Sequence, residues 1–247
     1  MKVFFVGDST VCNYSNELDR YIPRHGYGMH VGDYLKSVDV CNLALSGRSS
    51  RSFLNEPEYE KLLADLSAGD FLVIGFGHND EKHDERYTNP NEDISVPTSF
   101  KYHLYNYYIK VAEDRGAKVV ICTPICRLSK EKVYSGHSVH IEDDYESFEG
   151  GNYPQTIRNL ASELSLPLVD MTNLTKEVYE NLGYEKAKLF HATNTLDVND
   201  IDGTHLNNYG ASYLAYLFVK GLKNTDSPLK NYIKEEISLP LQQIFHN

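Results

Sequence analysis

Lys2-Val-Phe-Phe-Val-Gly-Asp-Ser-Thr10 runs from an apolar stretch straight into a Gly-Asp-Ser turn. A short apolar run closed by a turn reads as a strand buried on both faces. Four more runs of this kind follow, at residues 38–44, 71–76, 118–123 and 166–170. Helix-like segments separate them, at 56–66, 98–115, 153–164, 172–182 and finally 207–222. Regular alternation of strand and helix predicts a parallel sheet covered on both sides. The expected fold class is α/β. It is a three-layer α/β/α sandwich with a five-stranded parallel sheet in flavodoxin-like order, 2-1-3-4-5, built as one domain over residues 1–247. Gly116 should end one helix and Thr172 should cap another. Residues 77–97, 124–151 and 186–204 read as long loops. The tail 225–247 is weakly amphipathic, suited to packing on the core or on a second subunit.

The chemistry gathers at the two ends of the chain. The first turn can lift Ser9 out at the carboxyl edge of a strand. Far away, Asp202-Gly-Thr-His205 sets an acid and a base three residues apart in a Gly-containing turn. A serine hydroxyl is a weak nucleophile until a base takes its proton, and that base needs a partner to fix its tautomer. The order Ser, Asp, His matches one known triad order, yet the Gly-x-Ser-x-Gly elbow is absent. Two further segments follow strand ends, where ligands bind in open α/β sheets. One is Asn42-Leu-Ala-Leu-Ser-Gly47-Arg-Ser-Ser-Arg51, the other Gly75-Phe-Gly-His-Asn79-Asp80. Acyl transfer builds negative charge on a carbonyl oxygen. The backbone N–H groups of Ser9 and Gly47 and the side-chain amide of Asn79 are candidate donors to it.

These four segments resemble the SGNH, or GDSL-type, hydrolases, and the motifs stand in that family's order along the whole chain. Within it, Gly-Asp-Ser-Thr, Gly-Arg-Ser-x-x-Arg, Gly-His-Asn-Asp and Asp-Gly-Thr-His-Leu are most similar to the rhamnogalacturonan acetylesterase branch. The resemblance implies nucleophile Ser9, acid Asp202, base His205 and oxyanion donors Ser9, Gly47 and Asn79. It also implies a substrate that is an acetylated oligosaccharide. Thr10 stands where many GDSL lipases carry Leu, which argues against a lipase.

Composition narrows the alternatives. The chain has 247 residues, 41% hydrophobic and 24% charged, with a net charge of −11. That balance argues against nucleic acid, which needs a basic face. No apolar stretch reaches the ~18 residues of a membrane span. The segment before Ser9 leaves no room for a secretion signal, so the expected location is the cytoplasm, unless a signal has already been removed. Cys12, Cys41, Cys122 and Cys126 lack paired spacing and read as free thiols. Neither cofactor nor metal is expected. His78-Asn-Asp-Glu-Lys-His83-Asp-Glu has no ligand spacing of defined geometry and reads as a solvated acidic loop. His25, His30, His137, His140 and His191 read as surface or packing residues. Arg48 and Arg51 flank Gly47 and suit either a substrate carboxylate or a structural ion pair. Most of the 19 tyrosines belong to helix faces. Tyr87, Tyr134 and Tyr145 lie in loops, where an aromatic ring can stack on a sugar.

Three activities compete at this point. A carbohydrate O-acetylesterase fits the motifs. A lysophospholipase or thioesterase of the same family needs a long apolar groove, and these loops are polar. A non-catalytic sugar-binding module has no use for a base poised on a serine.

Overall fold

In the computed structural model, which describes residues 1–15, 21–129 and 152–240, the opening apolar run is the first strand of a sheet. The strands in chain order are β1 (Lys2–Gly7), β2 (Tyr21–Ile22), β3 (Asp39–Asn42), β4 (Phe71–Gly75), β5 (Lys118–Cys122), β6 (Leu168–Val169), β7 (His191–Asn194) and β8 (Ile201–Leu206). Five of them form a parallel sheet in the order β3-β1-β4-β5-β6. Renumbered within that sheet, this is the expected 2-1-3-4-5. All the connections deliver their loops to the same carboxyl edge, where Ser9, Gly47 and Asn79 follow β1, β3 and β4.

Why the central strands β1, β4 and β5 are apolar at successive positions follows from the pleat. Successive side chains point to opposite faces. Val3 and Phe5 of β1, Phe71 and Val73 of β4, and Val120 and Cys122 of β5 belong to one core. Phe4 and Val6, Leu72 and Ile74, and Val119 and Ile121 belong to the other. Helices α1 (Pro57–Asp65), α2 (Phe100–Leu104), α3 (Lys110–Asp114) and α4 (Tyr153–Glu163) line the second core through Leu62, Leu104, Ala112 and Ile157. Helices α5 (Met171–Leu182), α6 (Tyr184–Ala187) and α7 (Asn208–Lys223) line the first, through Met171, Ala187, Leu214 and Phe218. Each buried Phe or Leu contributes about 1.5–3 kcal/mol relative to an exposed one.

A π-helical stretch, Tyr105–Ile109, joins α2 and α3, so the predicted helix over 98–115 is one rod with a widened middle. Ser99 starts it by accepting the N–H of Tyr102. The chain turns at Gly116 into β5.

Two expectations need correction. Thr172 does not cap α5. Asp170 does, accepting the N–H of Asn173, while the Thr172 hydroxyl donates to the Pro124 carbonyl. Residues 186–204 are not one loop. They contain β7 and the start of β8, which pair antiparallel with each other and with β2 as a second, three-stranded sheet. The tail, left open between core and partner, packs on this chain's own core as far as it is described. Leu229 is fully buried, and the N–H groups of Lys36 and Lys234 reach the Tyr232 and Tyr34 carbonyls. Tyr134, Tyr145, His137 and His140, most of the loop 124–151 and the last residues of the tail lie outside the described residues. Among the described residues no helix is long and apolar enough to cross a membrane.

Candidate active site

Ser9 sits just past β1 and is 5% exposed. The turn is made by its neighbour. The Asp8 carboxylate accepts the N–H and the hydroxyl of Thr10, both at 2.9 Å, and the N–H of His78 at 3.3 Å. The Asp8 carbonyl accepts the N–H groups of Val11 and Cys12, so residues 8–12 make one helical turn. The first N–H groups of such a turn have no partner within it. That of Ser9 donates to no acceptor among the described residues. Burial pushes the Asp8 carboxyl up against the pull of these donors.

Asp202 and His205 lie on β8 rather than in a free-standing turn. β7 and β8 pair at His191 with Leu206 and at Thr193 with Ile201. Between those pairs Ala192 alone faces Asp202, Gly203, Thr204 and His205. The motif therefore bulges out of the ladder. Within the bulge, Asp202 Oδ1 accepts the N–H groups of Thr204 at 2.9 Å and His205 at 3.1 Å, and Oδ2 accepts His205 Nδ1 at 2.6 Å. Burial works to raise the Asp202 carboxyl. The hydrogen bond and charge of His205 and the two backbone donors outweigh it and hold the group down to about 2. An acid ionised at all working pH values fixes the Nδ1–H tautomer, which leaves Nε2 of His205 to act as a base.

Gly203 is glycine for a spatial reason. A Cβ there would lie 2.2 Å from the Leu128 carbonyl oxygen, because Leu128 runs alongside and donates its N–H to the Gly203 carbonyl at 2.8 Å. Arg127, next to it, donates to Glu81 and to the His78 carbonyl. Residues 127–128 thus clamp the bulge to the His78–Glu81 segment. A second strap joins the bulge to the serine turn. His25 N–H donates to the Leu206 carbonyl, and Tyr27 N–H to the Thr10 carbonyl. The Tyr14 ring meets the His205 ring edge-on, with centroids 6.4 Å apart. No direct hydrogen bond joins Ser9 to His205. In free enzymes such contacts are often long and tighten with substrate.

Gly47 and Asn79 face each other across the same edge. Gly47 has φ +76°, a left-handed conformation that favours glycine, and a Cβ there would stand in open space. Its N–H also donates to no acceptor among the described residues. The Asn79 amide donates to the Arg48 carbonyl at 3.2 Å, which sets it beside Gly47. Behind both lies Asp80. Its carboxylate accepts the N–H and hydroxyl of Ser50 and the hydroxyl of Thr88. Its carbonyl accepts the Tyr153 hydroxyl, while the Tyr108 hydroxyl donates to the Ser50 carbonyl. The expectation of a solvated acidic loop fails here: Asp80 and Glu81 are buried, and only Lys82 to Glu85 are exposed. Asp8 and Asp80 were visible inside the quoted motifs, but nothing in sequence distinguishes a positioning carboxylate from a surface one.

Burial pushes the Asp80 carboxyl up to about 7, against the pull of Ser50 and Thr88. Between about pH 4 and 7 the unfolded chain has this acid ionised while the folded protein holds it protonated. The stabilising contribution is full below the unfolded value of 3.8 and is lost as pH rises through 7. Denaturant unfolding of wild type and Asp80→Asn at pH 5 and pH 8 checks the sign: the gap between them should narrow at pH 8. An unchanged gap would show an Asp80 ionised throughout.

Arg48 pairs with Glu56, and Arg51 reaches the Tyr87 carbonyl at 3.5 Å. His191 is fully buried beneath the bulge, whereas His25 and His30 stack on each other with centroids 5.7 Å apart. The four cysteines are unpaired.

With this geometry in hand, known proteins are informative. Residues 5–212 match the GDSL-like Lipase/Acylhydrolase family. The chain is 30% identical over 240 residues to the rhamnogalacturonan acetylesterase RhgT of Bacillus subtilis (strain 168), covering 94% of each. It is 28% identical to the probable rhamnogalacturonan acetylesterase YesY of the same strain, covering 95% of this chain and 98% of that one. Among solved structures, a crystal structure of the Bacillus subtilis protein YxiM has a TM-score of 0.66 at 27% identity, covering 90% of this chain and 56% of that one. A catalytic mutant of Axe2, an acetylxylan esterase from Geobacillus stearothermophilus, shares the fold with a TM-score of 0.58 at 16% identity, covering 90% and 93%. A match across most of the chain, on a sheet of the expected order, makes this protein a carboxylic-ester hydrolase and a member of the GDSL-like lipase/acylhydrolase family.

Proposed function

We propose that the protein removes O-acetyl groups from plant cell-wall carbohydrate, specifically from oligosaccharides derived from rhamnogalacturonan or pectin. In this reading residues 1–247 act as one domain. Nε2 of His205 takes the proton of Ser9, and Oγ attacks the acetyl carbonyl. The negative oxygen that forms is held by the N–H groups of Ser9 and Gly47 and by the Asn79 amide. Collapse of the tetrahedral species transfers the His205 proton to the sugar oxygen, which leaves as a hydroxyl. Water then adds to the acetyl-enzyme by the same route, giving acetate and free Ser9. Asp202 steadies the imidazolium throughout.

The observation that carries this reading is the Asp202–His205 pair, bonded at 2.6 Å and strapped to the serine turn through residues 25–27. The names of the relatives support acetylated carbohydrate as the substrate. Arg48 is engaged by Glu56, so Arg51 is the arginine we assign to a uronide carboxylate. Acetate release from acetylated pectic and xylo-oligosaccharides, at low and high salt, tests the substrate. Pectic acetates should be preferred, and the preference should shrink with salt because screening acts over ~8–10 Å. Preference for octanoyl over acetyl p-nitrophenyl esters would instead indicate a lipase or thioesterase.

Asn79→Ala should lower kcat by about 10²–10³ with little change in KM, since the charge it meets exists only in the transition state. Steady-state kinetics on p-nitrophenyl acetate separates the two. An effect confined to KM would make Asn79 a ground-state contact.

A further inference from the structure

Bulging the Asp202–His205 segment out of the β7–β8 ladder removes the cross-strand bonds that would otherwise hold its backbone. Leu128 N–H holds the Gly203 carbonyl, and one side chain holds that of Asp202. His191, which pairs with Leu206 at the end of the bulge and is fully buried, bonds through Nδ1 to the Asp202 carbonyl oxygen at 3.0 Å. A carbonyl can only accept, so Nδ1 carries the proton and Nε2 must itself accept. The Tyr179 hydroxyl lies 3.0 Å from Nε2 and supplies that proton donor. Tyr179 is also fully buried, on α5, and its ring packs against His191 with centroids 5.6 Å apart. The His191 backbone is fixed as well. Its carbonyl accepts the side-chain amide of Asn207, the residue that caps α7. The chain of contacts runs from helix α5 through Tyr179, His191 and Asp202 to His205, and every link is a hydrogen bond or a covalent one.

We propose that His191 is a positioning residue for the acid–base pair. It holds the main chain of Asp202 so that the carboxylate faces His205, and Tyr179 fixes its tautomer. The proposal rests on His205 being the base. His191 touches no reacting atom. It acts through the backbone of Asp202, in place of the ladder bonds that the bulge gives up. Burial supports the role, because it pushes the imidazole down to about 4 and keeps it neutral at working pH. A neutral ring of one tautomer has one donor and one acceptor, and the two partners here match them.

The test compares His191→Leu with His191→Asn. The Asn amide places a donor where Nδ1–H stands, and Leu keeps bulk without a donor. Leu should lower kcat on p-nitrophenyl acetate by about 10- to 100-fold, the scale of a small misplacement of a reacting group. KM should hold, and Asn should recover most of the loss. A residue that served packing alone would not discriminate the two at equal thermal stability. The second readout needs no turnover: the low-field proton resonance of His205 Nδ1–H, bonded to Asp202, should move in the Leu variant and return in the Asn variant. Should Leu fail to fold, Tyr179→Phe is read in its place, with the same direction and a smaller kcat loss. Unchanged kcat and an unmoved resonance in a folded variant overturn the proposal. If Ser9→Ala or His205→Ala kept wild-type turnover, the underlying assignment would fall instead, and the resonance would still report whether His191 holds Asp202.

Discussion

Replacing Ser9 by alanine should leave a folded protein whose hydrolysis of p-nitrophenyl acetate is slower by at least about a thousandfold. The change removes a hydroxyl that forms no hydrogen bond among the described residues, so stability should move by less than about 1 kcal/mol. The turn does not depend on it. Asp8 builds the turn with Thr10, His78, Val11 and Cys12, and none of those bonds uses the Ser9 side chain. In the proposed mechanism the chemistry, by contrast, depends on it wholly, since removing one member of a nucleophile–base unit costs about as much as removing the unit. Turnover within tenfold of wild type, with an unchanged melting temperature, would falsify the nucleophile assignment.

Asp202→Asn should lower kcat by about 10⁴. The bulge survives, because the Asn carbonyl oxygen can still accept the N–H groups of Thr204 and His205. What reverses is the partner of His205 Nδ1. An amide nitrogen placed there donates, so the imidazole must accept at Nδ1 and carry its proton on Nε2, where a base is needed bare. The variant also loses stability near neutral pH. The Asp202 carboxyl is held at about 2 against an ordinary 3.8. Its contribution is therefore present above 3.8 and lost as pH falls through 2. The shift corresponds to about 2 kcal/mol on the usual conversion. A kcat loss that vanished at high pH would show that the tautomer, and hence the role given to Asp202, was misassigned.

The parallel sheet was legible in the sequence because its central strands β1, β4 and β5 are buried on both faces and so are apolar at nearly every position. The hairpin of β7 and β8 was not. His191-Ala-Thr-Asn194 mixes polar and apolar residues, and the turn after it carries Leu196 and Val198 largely exposed, which imitates an irregular loop. The motif Asp202-Gly-Thr-His205 was readable from local spacing, since its hydrogen bonds are local. The burial of Asp80 was not, because the groups that satisfy it come from Ser50 and Thr88, and the tyrosines that brace it from α4 and the middle of the α2–α3 rod. His191 failed for the same reason: an isolated histidine carries no signal until Tyr179 and Asp202 are seen on either side of it. The cap of α5 was missed by two residues, since both Asp170 and Thr172 are good capping types and only geometry selects between them.

Ser9 follows the first strand of the chain and His205 lies on the last, so nearly all of the protein separates the two groups proposed to share a proton. During synthesis at about 5–20 residues per second, the serine turn leaves the ribosome some ~10–40 s before the histidine. A nascent or truncated chain with all five parallel strands in place still has no base. Enzymatic activity, in the proposed mechanism, therefore marks the arrival of a pairing between the two ends of the chain. In a refolding experiment, acetate release should time the seating of the β7–β8 hairpin, while far-ultraviolet circular dichroism times the sheet and helices.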